Sequence, residues 1–209
     1  MNRRFPFQLY LVISEADCKG RSFTDVAEQA ILGGVDIIQL REKNCRAEVF
    51  AEKARLLLEV TDSYGIPLII NDNLEVAMKT GAAGIHVGNN DISPADIRKQ
   101  WPETKYVGYS VEYLAQLGNE QTAVSDYLGI SPVFSTPTKA DTVTEWGLEG
   151  IVAIRQLTEK PLVAIGNIHT GNVRQVMDAG ADGVAVVSSI CSAANPRKAA
   201  YELKNEILK

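Results

Sequence analysis

Short apolar runs alternate with stretches of helical periodicity from one end of the chain to the other. The runs Gln8–Ser14, Asp36–Leu40, Pro67–Asn71, Gly84–Val87, Tyr106–Ser110, Asp126–Ser131, Leu162–Gly166 and Gly183–Ser188 are rich in Val and Ile and bounded by Gly, Pro or Asp. They read as buried strands. Between them the apolar positions recur at helical spacing, as Phe50, Ala54, Leu57 and Leu58 do within Phe50–Val60. Asn195-Pro196 marks the start of a last helix, with Asn as cap and Pro in the first turn. One phrase precedes several strands: Leu32-Gly33-Gly34-Val35-Asp36, Thr80-Gly81-Ala82-Ala83-Gly84 and Ala179-Gly180-Ala181-Asp182-Gly183. Gly33, Gly81 and Gly180 are expected to take the left-handed position that ends a helix, after which a short loop returns the chain to the next strand.

A helix-to-strand unit used repeatedly implies parallel strands with helical crossovers. Roughly eight units in about 200 residues fit a small (β/α)8 TIM barrel, an α/β fold, with a doubly wound open sheet as the rival. The 209 residues contain no linker or low-complexity segment, so a single domain over residues 1–209 is expected. A hydrophobic fraction of 45% and a charged fraction of 22% exclude a disordered or fibrous chain. A net charge of −5 argues against nucleic-acid or polybasic membrane partners, though not against a local anion site. Three scattered cysteines, with no metal-binding spacing and no secretory or membrane-spanning run, point to the cytoplasm.

In a barrel the chemistry lies just past the carboxyl ends of the strands. The second strand ends in Gln39-Leu40-Arg41-Glu42-Lys43, where alternation puts Gln39, Arg41 and Lys43 on one side. A guanidinium and an ammonium converging there suit a phosphate, and a solvated strand end is the plainer alternative. Asn71-Asp72-Asn73 and His86-Val87-Gly88-Asn89-Asn90-Asp91 close the third and fourth strands. Asp72 and Asp91 thus follow neighbouring strands and can share Mg²⁺, or each can cap a helix. Ser110 ends the fifth strand, either as a cap or as a donor to phosphate; no histidine near it in sequence marks it as a nucleophile. Residues 132–147 form the longest irregular stretch, and Thr136, Thr138 and Lys139 within it suggest an anion-binding lid. Gly166, Ser188 and Ser189 follow the last two strands, the usual phosphate cradle of this fold. His86 reads as a packed, hydrogen-bonded histidine, His169 as lying at the start of a helix, Trp146 as a hinge or packing residue and Cys191 as an apolar filler.

Taken in order, these motifs resemble the thiamine-phosphate synthase (thiamine-phosphate pyrophosphorylase) family. The match runs from Leu9-Tyr10-Leu11-Val12 to Asn195-Pro196 through Gln39–Lys43, Asn71-Asp72, Gly88-x-x-Asp91, Gly108-x-Ser110, Thr136-x-Thr138-Lys139-x-Asp141, Ile165-Gly166 and Ser188. The resemblance implies joining of 4-amino-5-hydroxymethyl-2-methylpyrimidine diphosphate to 4-methyl-5-(2-phosphooxyethyl)thiazole, giving thiamine phosphate and pyrophosphate. It implies that Gln39, Arg41, Lys43, Asn71 and Lys139 hold the pyrimidine diphosphate, with Ser110 on the diphosphate side. Asp72 and Asp91 would bind Mg²⁺, and Thr136, Thr138, Gly166 and Ser188, with Ser189 beside it, the thiazole phosphate. The expected catalytic contributors are Arg41, Lys43, Ser110 and Lys139. The chain departs from the family pattern at Asn73 and Asn90, which lower local negative charge, and at Asn167, which replaces a glycine. Glu112 stands where related thiazole tautomerases carry a histidine, against a tautomerase. The rivals are a non-catalytic phosphate-ligand binder and another phosphate-binding barrel enzyme such as an isomerase. Partners are expected to be small molecules, and a homodimer rests on the commonness of symmetric dimers alone.

Overall fold

The computed structural model describes residues 5–43, 45–135 and 144–209. The chain runs β1 (Leu9–Ile13), α1 (Phe23–Leu32), β2 (Ile37–Leu40), α2 (Ala47–Ser63), β3 (Leu68–Asn71), α3 (Leu74–Thr80), β4 (Gly84–Val87) and α4 (Pro94–Gln100). It continues β5 (Tyr106–Val111), α5 (Glu120–Val124), β6 (Tyr127–Ile130), α6 (Gly147–Leu157), β7 (Leu162–Ile165), α7 (Val173–Asp178), β8 (Gly183–Val186), α8 (Ser188–Cys191) and α9 (Pro196–Ile207). Each strand pairs in parallel with the next, and β8 pairs back on β1, so the sheet closes into a barrel rather than an open sheet. Each predicted strand matches one of these elements; most are shorter than the apolar runs because the ends of the runs turn into the loops, and β5 alone runs past its expected end at Ser110, to Val111.

Closure buries both faces of every strand. Along β1, Leu9, Leu11 and Ile13 pack outward against the helices, while Tyr10 and Val12 face the barrel interior with Ile37, Ile69, Tyr127, Val163 and Ala185. Phe5 plugs this interior from the amino-terminal side, stacked on Tyr127 with ring centroids 4.1 Å apart. Helix starts follow local chemistry: Ser22, Asn73, Ser93, Asn119 and Asn195 each accept a backbone N–H three residues on.

The helix ends divide. Gly81 and Gly180 take positive φ (73° and 113°), as expected, but Gly33 does not: its φ is −88°, and Gly34 takes the positive value of 105°. Gly33 serves a different need. A Cβ there would lie 2.3 Å from the Arg197 carbonyl oxygen and 2.7 Å from the Ala200 Cβ, so its bare backbone lets α1 end against α9.

The amino-terminal rim is tied by a repeated device. Asp36, Asp126 and Asp182 each precede a strand. Each gives its N–H to a carbonyl at the start of the preceding strand (Leu9, Val107 and Leu162), and its carboxylate accepts that same residue's N–H in return. A cation from a surrounding helix completes each: Lys204 Nζ at 2.6 Å from Asp36, Arg98 on Asp126, and Arg155 Nη1 at 3.1 Å from Asp182. No helix among the described residues is long and apolar enough to cross a membrane.

Candidate functional site

At the opposite rim, the carboxyl ends of the strands surround a cavity of about 280 Å³ to which every strand contributes a residue. The predicted residues Gln39, Arg41, Lys43, Asn71, Asp72, Asp91, Ser110, Gly166, Ser188 and Ser189 all line it. Thr136, Thr138 and Lys139 lie outside the described residues, as does Asp141.

Alternation along β2 delivers Gln39, Arg41 and Lys43 to the cavity and turns Glu42 away. The outward glutamate anchors this strand end. Its carboxylate accepts the Glu15 N–H at 2.9 Å and pairs with Lys53 Nζ at 3.0 Å, and Lys53 also reaches Glu15 at 2.7 Å. The two cavity cations are thus held on a backbone tied to both the β1 loop and α2.

Asp72 leaves β3 in a left-handed conformation (φ 63°), with its N–H donating to the His86 carbonyl at 2.9 Å. It does not cap α3; Asn73 does, accepting the Val76 N–H at 2.9 Å. The Asn73 departure therefore has a local role, and Asp72 is left for the cavity. The Asp91 carboxylate accepts the Gly88 N–H at 2.8 Å, while Ser93 caps α4. The two carboxyl groups line the same side of the cavity, close enough to interact. Burial, then the neighbouring Asp91, pushes Asp72 up to about 6, against the pull of Lys43 and Arg41. A half-buried Asp72 carboxyl whose charged form is disfavoured beside a second carboxyl group is what a divalent cation relieves. Two carboxylates that leave the rest of the coordination sphere to waters and substrate phosphates could hold Mg²⁺.

Ser110 lies within β5 and caps no helix; its Oγ is 3.0 Å from His86 Nε2. His86 is hydrogen-bonded, as expected, but its ring also lines the cavity, with Nδ1 3.1 Å from the Tyr127 hydroxyl. Tyr10 and Tyr127 line the cavity floor and were not legible as site residues, because an inward tyrosine on an apolar strand reads as core. Asn89 and Glu112 edge the mouth, with Asn89 Nδ2 donating to Glu112 Oε2 at 2.7 Å.

On the far side, Gly166 (φ 125°) and Asn167 (φ 51°) make the turn after β7. Asn167 occupies a left-handed position that asparagine tolerates better than most side chains, and its carbonyl accepts from Asn172 Nδ2 at 3.0 Å. Ser188 opens α8, and Ser189 Oγ donates to the Ile168 carbonyl at 2.6 Å, which joins the two phosphate-type loops. His169 lies in the turn before α7 rather than at its start, because the helix begins only at Val173. Trp146, at the start of α6, donates its backbone N–H to the Pro132 carbonyl. Cys191 is fully buried, as a filler should be.

Known proteins resemble this chain over nearly all of its length. The family model described as thiamine monophosphate synthase matches residues 9–190. A thiamine-phosphate synthase of Albidiferax ferrireducens is 45% identical over 200 residues, covering 96% of this chain and 91% of the relative. Another, of Xanthobacter autotrophicus, is 41% identical over 208 residues, covering 100% of this chain and 99% of its own. Among solved structures, a thiamine phosphate pyrophosphorylase from Pyrococcus furiosus superposes with a TM-score of 0.89 at 30% identity, covering 99% of this chain and 98% of that one. The chain, a TIM barrel that brings Arg41, Lys43, Asp72 and Asp91 together at one mouth, belongs to the thiamine monophosphate synthase family of transferases.

Proposed function

We propose that this barrel, as a single domain, joins the pyrimidine diphosphate to the thiazole phosphate in the cavity at its mouth. The observation that carries the reading is that one cavity unites a cationic side (Arg41 and Lys43), a carboxylate pair (Asp72 and Asp91) and a second phosphate-type cradle (Gly166, Ser188 and Ser189). Two anionic substrates need two anion sites within one enclosure.

The reaction balances without a base on the protein. The thiazole nitrogen forms a bond to the pyrimidine methylene carbon, and the carbon–oxygen bond to diphosphate breaks, so pyrophosphate leaves with the electron pair. Mg²⁺, held by Asp72 and Asp91, would supply charge neutralisation for the departing oxygens. Arg41 and Lys43 take up the same charge from the strand end that Glu42 anchors. Gln39 and Asn71 orient the pyrimidine portion, and Ser110 faces the diphosphate. Gly166, Ser188 and Ser189 hold the thiazole phosphate and bring its ring nitrogen to the methylene carbon. The electron-rich aminopyrimidine supports a dissociative path, in which the carbon–oxygen bond breaks ahead of attack. Lys139, Thr136 and Thr138, outside the described residues, keep the roles the family resemblance gives them. Free thiols at Cys18, Cys45 and Cys191 suit a reducing cytoplasm.

The test is a two-substrate assay of folded protein with and without Mg²⁺. Thiamine phosphate and pyrophosphate are expected in equal amounts, only with the metal. Asp72→Asn is expected to lower kcat at least about 100-fold, as loss of a ligand to a charge-neutralising cation should. Thiazole-phosphate binding without turnover in the wild type would instead support the non-catalytic binder.

A further inference from the structure

A file of five hydrogen-bonded side chains crosses the barrel interior. Gln39 Nε2 donates to the Tyr10 hydroxyl at 2.9 Å, and the Tyr10 and Tyr127 hydroxyl oxygens are 2.9 Å apart. The Tyr127 hydroxyl is 3.1 Å from His86 Nδ1, and His86 Nε2 is 3.0 Å from Ser110 Oγ. The last contact has the form of half a nucleophile–base pair, in which the imidazole would accept the serine proton.

The order of donors runs the other way. An amide nitrogen gives protons and accepts none. Tyr10 therefore receives from Gln39, and its own proton goes to the neighbour on its other side, the Tyr127 oxygen. Tyr127, receiving from Tyr10, turns its proton to His86 Nδ1. Burial pushes both phenols up, so each keeps the proton it must donate. An imidazole that accepts at Nδ1 carries its single proton on Nε2 when neutral. That proton faces Ser110 Oγ, which leaves the serine's own proton for a partner in the cavity that Ser110 lines.

The surrounding strands are shaped around this file. A Cβ on Gly108 would lie 2.2 Å from Tyr127 Cζ and 2.3 Å from His86 Nδ1, and one on Gly129 would lie 2.9 Å from His86 Cε1. Both strands omit a side chain where the two rings sit.

We infer that Tyr10 and Tyr127 are positioning residues that hold His86 as the Nε2–H tautomer, so that Ser110 acts as a hydrogen-bond donor to the reacting groups and not as a nucleophile. The inference rests on the proposed reaction. There a donor stabilises the departing diphosphate oxygen, whereas an activated serine would compete with the thiazole nitrogen for the same carbon.

The chain has two histidines, so nitrogen-15 imidazole spectra of the wild type and of His169→Gln assign His86 directly. Expected is an Nδ1 without a proton and a protonated Nε2. A proton on Nδ1, in the other tautomer or in the imidazolium, overturns the inference whether or not the protein makes thiamine phosphate. Tyr127→Phe is expected to mix the two tautomers and to lower kcat about three- to tenfold, with KM for either substrate within about twofold, as loss of one hydrogen bond should. An unchanged tautomer and kcat in the folded variant would overturn it. Incubation of the wild type with a fluorophosphonate is expected to leave Ser110 unlabelled. A covalent adduct on Ser110 would overturn the donor role even if Tyr127→Phe fails to fold.

Discussion

Asp72 shows how a single residue can cost stability for the sake of a site. Its carboxyl is pushed up to about 6 by burial and by Asp91, while in the unfolded chain it titrates near the ordinary value of about 3.9. Between those values the folded protein holds a proton the unfolded chain has released, so stability falls as pH rises through that window and stays lowered above it. Asp72→Asn removes this term and suits the left-handed backbone at least as well. Metal-free Asp72→Asn is therefore expected to melt a few degrees above the metal-free wild type near neutral pH, and the gap should narrow below about pH 4. Mg²⁺ should raise the wild-type melting temperature and leave that of the variant nearly unchanged. Calorimetry across pH checks both, and a gap of equal size at both pH values would contradict the account. The charged part of the site was legible in the sequence because alternation along a strand fixes the side on which Gln39, Arg41 and Lys43 emerge. The polar floor was not. In a closed barrel both faces of a strand are buried, so Tyr10 and Tyr127 carry no sign of which way they point. The contact of His86 with Ser110 depends on the register of β4 against β5, which pairs His86 with Gly108.

Between neighbouring strands the reciprocal aspartates do the aligning. Asp126 is the most sheltered: its carboxylate accepts the Val107 N–H at 2.7 Å and pairs with Arg98, with the Asp126 side chain 10% exposed. Asp126→Ala would leave that N–H and the guanidinium without their acceptor and is expected to cost about 2 kcal/mol of folding stability, within the range for hydrogen bonds to a charged group. Urea unfolding measures the loss. The kcat per folded molecule should be unchanged, and a matching fall in kcat would tie this rim to the chemistry. The elements themselves were readable from apolar runs and glycines, because buried parallel strands and helix ends each leave a local mark. The aspartates were visible in phrases such as Val35-Asp36 and Ala181-Asp182, but their partners lie on the preceding strand, some twenty or more residues back. For the same reason the left-handed position expected at Gly33 falls instead at Gly34: the crowding of Gly33 comes from α9, far away in sequence.

Across the whole molecule, a net charge of −5 coexists with a mouth that gathers Arg41 and Lys43. With Mg²⁺ offsetting Asp72 and Asp91, an anionic substrate meets weak general repulsion and local attraction to Arg41 and Lys43, and salt screens the exposed part of both. With the attraction acting at shorter range inside the cavity, KM for the pyrimidine diphosphate is expected to rise severalfold between low salt and about 0.5 M while kcat changes little. Steady-state kinetics across ionic strength checks this, and a KM indifferent to salt would assign recognition to uncharged contacts. The aspartate ties at the amino-terminal rim have one more consequence. The strands behave as struts, footed at one end and free to carry varied side chains at the other. The residues that anchor the scaffold are therefore not those that meet ligand, and a library of variants confined to the mouth could explore new substrates without loosening the footings.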